Sequence, residues 1–425
     1  MHCADCFPLG FVAGCGCHLF GLILACCFLL KFNRSPKNEK HTHRSGLPLC
    51  RRVFLFERFV VLLCQSEASV SGMSRYSDLH LKVGEPVSLR YDGDLRPIDG
   101  GGRLSAELIE ALIRPMLREG LWESFQANPL QDVDASWHWN EHEISFRLNV
   151  FKENDGPAAV IRALPTSIPA VEKIGFPDEA VWRNVCNLQS GLVLLTGNTG
   201  SGKSTTIASI VNHINLHRCV RVITLEDPIE YIFKSNSALF SQREFGRHIP
   251  SFAAGLRSAL REDPDVIFVG EMRDHETVSL AMTAAETGHL VVSTLHTRDA
   301  PGAVTRIIDM FPADRGKEIA TQLSMSLSYV ICQKLVPASA GGRQVAMEVL
   351  KNTHSVANLI RTMTFQQLPT CLETGAKDGM NSLEAHLCCL VKSGSISLLD
   401  AMDAANEPTL LQMLLKNSST HPATK

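Results

Sequence analysis

The sequence predicts an α/β protein: a parallel sheet flanked by helices, preceded by a small α+β domain and followed by a helical region. Three observations carry this. Four short, continuous apolar runs alternate with helical patterns between residues 191 and 295. A glycine motif of the phosphate-binding type lies between the first of these runs and the next helical pattern. Short alternating apolar patterns occupy the stretch upstream of both. The 425 residues suffice for two or three domains, and 45% hydrophobic with 20% charged residues is an ordinary globular balance. A formal net charge of -3 supplies no attraction for nucleic acid or an anionic membrane, so no nucleic-acid partner is expected.

Residues 1–72 stand apart as a cysteine-rich, apolar extension. Eight of the 14 cysteines precede residue 65, and Phe11 to Leu30 is nearly all apolar before Lys31 and Arg34. Taken alone that run reads as a membrane helix or a signal sequence. Cys3-x-x-Cys6 lacks a second pair at zinc-finger spacing. The globular pattern begins abruptly at Met73, which points to a start there and to an upstream stretch that is not translated. The remaining cysteines (Cys186, Cys219, Cys332, Cys371, Cys388 and Cys389) are scattered, as buried thiols in a reducing compartment would be.

Residues 73–168 read as the α+β domain. Leu79, Leu81 and Val83 alternate, as do Val87, Leu89 and Tyr91 before a turn at Asp92-Gly93. Ala106 to Leu117 reads as a helix, and Ile144 to Val150 and Ala158 to Ala163 read as paired strands. Pro165, Pro169 and Pro177 mark a linker centred on residues 169–177. In residues 178–350 the runs Leu192 to Leu195, Val220 to Leu225, Val266 to Val269 and Leu290 to Leu295 suit strands covered on both faces. Residues 351–425 form the helical region, with its pattern running from about Val356 to Leu415.

The motif G-x-x-x-x-G-K-[ST] is complete at Gly197, Asn198, Thr199, Gly200, Ser201, Gly202, Lys203 and Ser204, with Thr205 next. It leaves an apolar strand and opens a helix-compatible stretch, Ser204 to Ile214, which is the context the motif requires. Its glycines let the backbone curl so that N–H groups converge on phosphate oxygens, and a helix N-terminus adds positive potential. Lys203 is expected to reach the β and γ phosphates of ATP, and the Ser204 hydroxyl to bind Mg2+. Glu226, Asp227 and Glu230 follow one strand and Glu271 follows another. In a parallel sheet ligands bind beyond the carboxyl ends of the strands, so these acids are candidates to orient the attacking water or hold magnesium through its waters. Asp227 reads equally well as a turn cap before Pro228. His289 and His296 bracket the fourth apolar run: His289 reads either as a nucleotide ligand or as a hydrogen-bonded structural residue, and His296 as a γ-phosphate sensor.

Four motifs in order resemble the Walker A, Asp box, Walker B and His box of secretion ATPases. They are the glycine loop, Leu225-Glu-Asp-Pro-Ile-Glu-Tyr231, Arg261-Glu-Asp-Pro-Asp-Val-Ile-Phe-Val-Gly-Glu-Met-Arg-Asp274 and Thr287-Gly-His-Leu-Val-Val-Ser-Thr-Leu-His-Thr297. Ser77-Asp-Leu-His-Leu81 and Asp92-Gly-Asp-Leu-Arg96 resemble that superfamily's PAS-like N-terminal domain. Ala346-Met-Glu-Val-Leu350, Asn358-Leu-Ile-Arg361 and Thr374 to Met380 are similar to the C-terminal region of the PilT-type, twitching-motility branch. No paired CxxC follows residue 73, unlike the zinc insert of the assembly and type II secretion branches. The resemblance spans about residues 77 to 410. It implies a RecA-like ATPase domain, a homohexamer with ATP between subunits, Glu271 as catalytic base, and Arg147 and Arg162 as arginines offered to the nucleotide. It also implies a cytoplasmic motor for type IV pilus retraction, peripheral to the inner membrane at the pilus base. Its partners there would be an inner-membrane platform protein and related ATPases. Asn198 replaces a usual proline, and Ala357 and Thr362 replace the usual arginine and glutamate of the C-terminal motif. The rival readings are a pilus-assembly or type II secretion ATPase, and an ATP-binding regulator or scaffold without turnover.

Overall fold

The computed structural model describes residues 76–91, 94–98, 102–128, 130–139, 144–164 and 167–418. The expectations for residues 1–72, the Met73 start, the Asp92-Gly93 turn and Pro165 lie outside these. Among the described residues no helix is long and apolar enough to cross a membrane.

The first sheet has six antiparallel strands: β1 (Tyr76–Leu81), β2 (Ser88–Tyr91), β3 (Asp94–Pro97), β4 (Val133–Trp139), β5 (Ile144–Glu153) and β6 (Gly156–Ala163), in spatial order β3-β2-β1-β6-β5-β4. In β5 the period of two is plain: Ile144, Phe146, Leu148 and Val150 are buried, while Arg147 and Asn149 take the other face. Helix α1 (Ala106–Ile113), capped by Ser105, buries Ile109 and Ile113, and α2 (Leu121–Ala127) buries Trp122 and Phe125. The expected helix to Leu117 stops at Ile113 and tightens to a 3-10 turn over Arg114–Met116, because Pro115 has no N–H to continue the ladder. Strand β4 is not among the strands expected from the sequence, although Val133, Ala135, Trp137 and Trp139 alternate along it.

The second sheet has seven strands: β7 (Gly191–Thr196), β8 (Arg221–Glu226), β9 (Leu239–Glu244), β10 (Val266–Val269), β11 (Leu290–Leu295), β12 (Leu327–Pro337) and β13 (Arg343–Lys351), in order β13-β12-β7-β11-β10-β8-β9. All neighbours are parallel except β12 and β13. Strands β7 and β11 are buried along their whole length, so alternate residues feed two cores. Leu192 and Leu194 join Leu256 of α5 (Phe252–Ala259), Val278 of α6 (His275–Glu286), Val304 of α7 (Ala300–Asp309) and Leu323 of α8 (Gly316–Ser326). Val193 and Leu195 turn to the opposite face, against Trp182 of α3 (Glu179–Asn187) and Ile207 and Ile210 of α4 (Lys203–His217). The fold is therefore α/β with helices on both faces.

Five short helices follow: α9 (His354–Arg361), α10 (Leu368–Thr374), α11 (Leu383–Lys392), α12 (Leu398–Ala404) and α13 (Pro408–Ser418). Leu383, Leu387, Ala401 and Leu411 pack with Val336 of β12 and Ala346 of β13. Polar ties reinforce this apolar seam. Lys334 Nζ donates to the Ala404 carbonyl and to Asn406 Oδ1, both at 2.7 Å. Glu384 Oε1 accepts from the Asn406 and Glu407 amides at 2.9 Å.

Glu348, on β13, accepts from the Ala300 amide at 2.6 Å and so ties the sheet edge to the start of α7. Burial raises its carboxyl pKa from 4.5 to about 7. The folded chain thus binds this proton more tightly than the unfolded chain does. The resulting stability is complete below the unfolded value and is lost as pH rises through the folded one. Glu348→Gln, which cannot ionise, is expected to flatten the fall in melting temperature between about pH 5 and about pH 8, by on the order of a few degrees. Thermal melts of both proteins across that range check it.

Candidate active site

The parallel register brings the carboxyl ends of four strands to one edge. Thr196 lies opposite Leu295, Val269 opposite Ser293, and Val269 opposite Leu225. The loop of residues 197–202 leaves β7 at that edge and α4 begins at Lys203. Gly197, Gly200 and Gly202 have φ of 138°, 78° and 89°, values that a side chain rarely tolerates. At Gly197 space forbids it as well, since a Cβ would lie 2.4 Å from the Gln333 carbonyl.

Lys203 is buried, and its ammonium donates to the Gly197 carbonyl at 2.8 Å and the Asn198 carbonyl at 3.0 Å. Burial lowers its pKa, while Cys332, Glu271 and Glu230 act in the opposite direction. Two of the four predicted acids, from different strand ends, thus lie within the electrostatic reach of the predicted phosphate-binding lysine. The Cys332 thiol is pushed up to about 12 by burial and stays unreactive. Thr205 Oγ1 meets the buried Tyr231 hydroxyl at 3.0 Å, joining the first turn of α4 to the loop after β8. Ser204 is half-buried beside it.

The loop of residues 227–238 runs from β8 to the parallel β9 without a helix. It is held by side chains instead. Gln242 Nε2 donates to Glu226 Oε1 at 3.0 Å and to the Tyr231 carbonyl at 2.8 Å, and its Oε1 accepts from the Phe233 amide at 2.8 Å. Glu226 itself is buried, accepts from Thr224 Oγ1 at 2.6 Å, and has its pKa raised to about 7 by burial. Its carboxyl therefore ties down the loop from beneath. Asp227 is reached by Arg273 at 3.8 Å, and burial raises its pKa against the opposing charges of Arg273 and Arg147.

Glu271 has the most built surroundings. Its side chain is 15% exposed, one oxygen pairs with Arg273, and the other lies 3.3 Å from His296 Nε2. Two nitrogenous side chains thus fix both oxygens of a carboxylate at the mouth of the sheet edge. Arg273 is a residue that sequence reasoning left without a role. Its position two residues after Glu271 was the available signal.

The other candidates divide. Arg147, opposite Ser136 of β4, is exposed and close enough to act on Asp227. The Ser136 hydroxyl donates to both carboxylate oxygens of Glu244 on β9, at 3.0 and 2.8 Å, so the first sheet meets the second at this point. Arg162 lies next to Arg147 across the β5–β6 pair but engages Asp78 through Nε at 2.6 Å, and no contact described for it reaches the glycine loop. His289 is misplaced as a ligand of this site. It precedes β11 at the amino end of the strand, its Nδ1 sits 2.9 Å from the Ala284 carbonyl, and its own carbonyl accepts from the Gly191 amide. A six-residue strand separates it from His296, about 20 Å of rise. Hydrogen bonding to the end of α6 is what the geometry gives it.

The chain matches known proteins over most of its length. The family described as type II/IV secretion system protein matches residues 59–390. The chain is 40% identical over 333 residues to the type IV pilus retractation ATPase PilT of Pseudomonas aeruginosa, covering 78% of this chain and 95% of that protein. A twitching motility protein of Neisseria gonorrhoeae is 42% identical over 310 residues, 73% of this chain and 81% of that one. Among solved structures, that of the pilus retraction motor PilT with bound ADP superposes with a TM-score of 0.73 at 41% identity, covering 83% of this chain and 99% of that chain. With a glycine loop, a fixed glutamate and a parallel sheet edge in the arrangement described, the chain belongs to the type II/IV secretion system protein family, among its PilT-type ATPases.

Proposed function

We propose that the chain is a motor that hydrolyses ATP to retract type IV pili, working as a homohexamer with nucleotide between subunits. The observation that carries this is the placement of Glu271, fixed by Arg273 and His296, in the electrostatic reach of Lys203. Similarity to a pilus retraction ATPase along 95% of that protein supports the direction of the motor.

In this reading backbone N–H groups of the 197–202 loop hold the phosphates, and Lys203 exchanges its two loop carbonyls for phosphate oxygens. Glu271 orients the attacking water and accepts its proton as the water oxygen bonds to the γ-phosphorus and the bond to the β-phosphate oxygen breaks. His296 and Arg273 hold the carboxylate for that task, and Asp227 and Glu230 complete the acidic rim. Among the described residues there is no group of three or more His, Cys, Asp or Glu able to hold a metal. A magnesium ion fits this site through the Ser204 hydroxyl, phosphate oxygens and water, where it would neutralise developing charge. Arg147 and Arg162 share a face of the first sheet as cross-strand partners, and across a subunit boundary they would meet a neighbour's phosphates. Movement of that sheet, released at the Ser136–Glu244 contact, would carry force to a membrane-embedded platform protein. The motor would then work from the cytoplasm at the base of the pilus.

Lys203→Ala is expected to lower ATP turnover by at least about a hundredfold, and undiminished phosphate release would remove the assignment. Glu271→Gln is expected to retain Mg-ATP binding while kcat falls by about a thousandfold. Loss of binding in place of turnover would mean that Glu271 serves the ligand rather than the reaction. With Arg162 acting in trans in this reading, mixing inactive Lys203→Ala chains with Arg162→Lys chains, which keep a charge beside Asp78 but lose the planar fork, is expected to restore measurable turnover at mixed boundaries. An inactive mixture that has exchanged subunits would place Arg162 in its own subunit's site.

A further inference from the structure

A loop that turns its amides toward phosphate must turn carbonyls into the protein, and buried carbonyls need donors. Gln333 of β12, fully buried, meets this need. Its Nε2 donates to the Ser201 carbonyl at 2.7 Å. The same nitrogen would lie 3.1 Å from a Cβ at Gly202, and its backbone carbonyl 2.4 Å from one at Gly197. The glycine loop is therefore wrapped around this one residue at three of its positions. Gln333 Oε1 has no hydrogen-bond partner among the described residues, a costly state for a buried amide that a leucine or methionine would avoid. Against that cost stands the Nε2 hydrogen bond to the Ser201 carbonyl.

We propose that Gln333 is a positioning residue for the nucleotide: its amide sets the curvature of the phosphate loop from the neighbouring strand. It touches no phosphate itself and acts through Ser201. Lys203 is needed at the nucleotide, whereas Gln333 is a fully buried residue of a strand paired on both sides. The inference rests on the nucleotide-site reading above.

The test is equilibrium binding of a fluorescent ATP analogue with magnesium to the full chain, with thermal melts taken without nucleotide. Gln333→Met keeps the volume and removes the donor. It is expected to weaken binding about tenfold or more while the melt shifts by no more than a few degrees. Gln333→Glu supplies a donor only when its buried acid is protonated. Its affinity is therefore expected to fall steeply as pH rises from about 6 to about 8.5, unlike that of the parent chain. Unchanged affinity in Gln333→Met, or a Gln333→Glu profile that follows the parent's, overturns the proposal. Should Gln333→Met fail to fold, the pH profile of Gln333→Glu decides alone. Absence of binding by the parent chain would instead overturn the nucleotide site, so the two failures are told apart.

Discussion

Parallel pairing of β7 with β11, and of β11 with β10, is the constraint on which the rest depends. Strands covered by helices on both faces have no room for charge along their length. Polar chemistry is forced to where the strands stop, and a common register makes them stop together. The glycine loop, the acid loop after β8, Glu271 and His296 come from sequence positions up to 99 residues apart (197 to 296), yet they share one edge for this reason alone.

Within that edge polar groups hold one another, from the buried Glu226 to Arg273 and His296, whose side chains are more than half exposed. Glu226 and Gln242 anchor a loop that lacks a helix, Tyr231 anchors it to α4, and Arg273 with His296 fixes Glu271. Such mutual support is what pre-organised charge stabilisation requires, since groups already oriented need not reorganise during reaction. The same logic extends to β12 and β13. Three consecutive residues of β12 have three different duties: Cys332 against the carbonyls of Thr297 and Arg298, Gln333 against the glycine loop, and Lys334 against the C-terminal helices. Nucleotide loop, His296 loop and C-terminal region therefore hang from one strand.

Much of this was legible in the sequence, and the exceptions have physical causes. Continuous apolar runs gave the central strands because burial on both faces leaves no alternation, and the glycine loop announced itself through spacing and flanks. Gln333 and Ser136 were not legible, because their partners are set by strand order and by contact between the two sheets, neither of which local pattern encodes. His289 shows the opposite case. Histidines at both ends of an apolar run look equivalent in sequence, but a parallel strand has a polarity, and only its carboxyl end meets the ligand. Strand β4 was missed although its alternation was present, because its tryptophans and histidine were not read as a face.

The pairing of Arg162 with Asp78 constrains how this chain can drift. Asp78 is nearly inaccessible, at 6% of its side chain, whereas Arg162 is 57% exposed. An outward-looking guanidinium is thus one counterion of an inward carboxylate. Replacing it with a neutral residue would disturb the interior of the first sheet as well as its surface, and a lysine would keep the charge but not the planar fork. Selection on the fold and selection on the exposed face consequently act on the same codon.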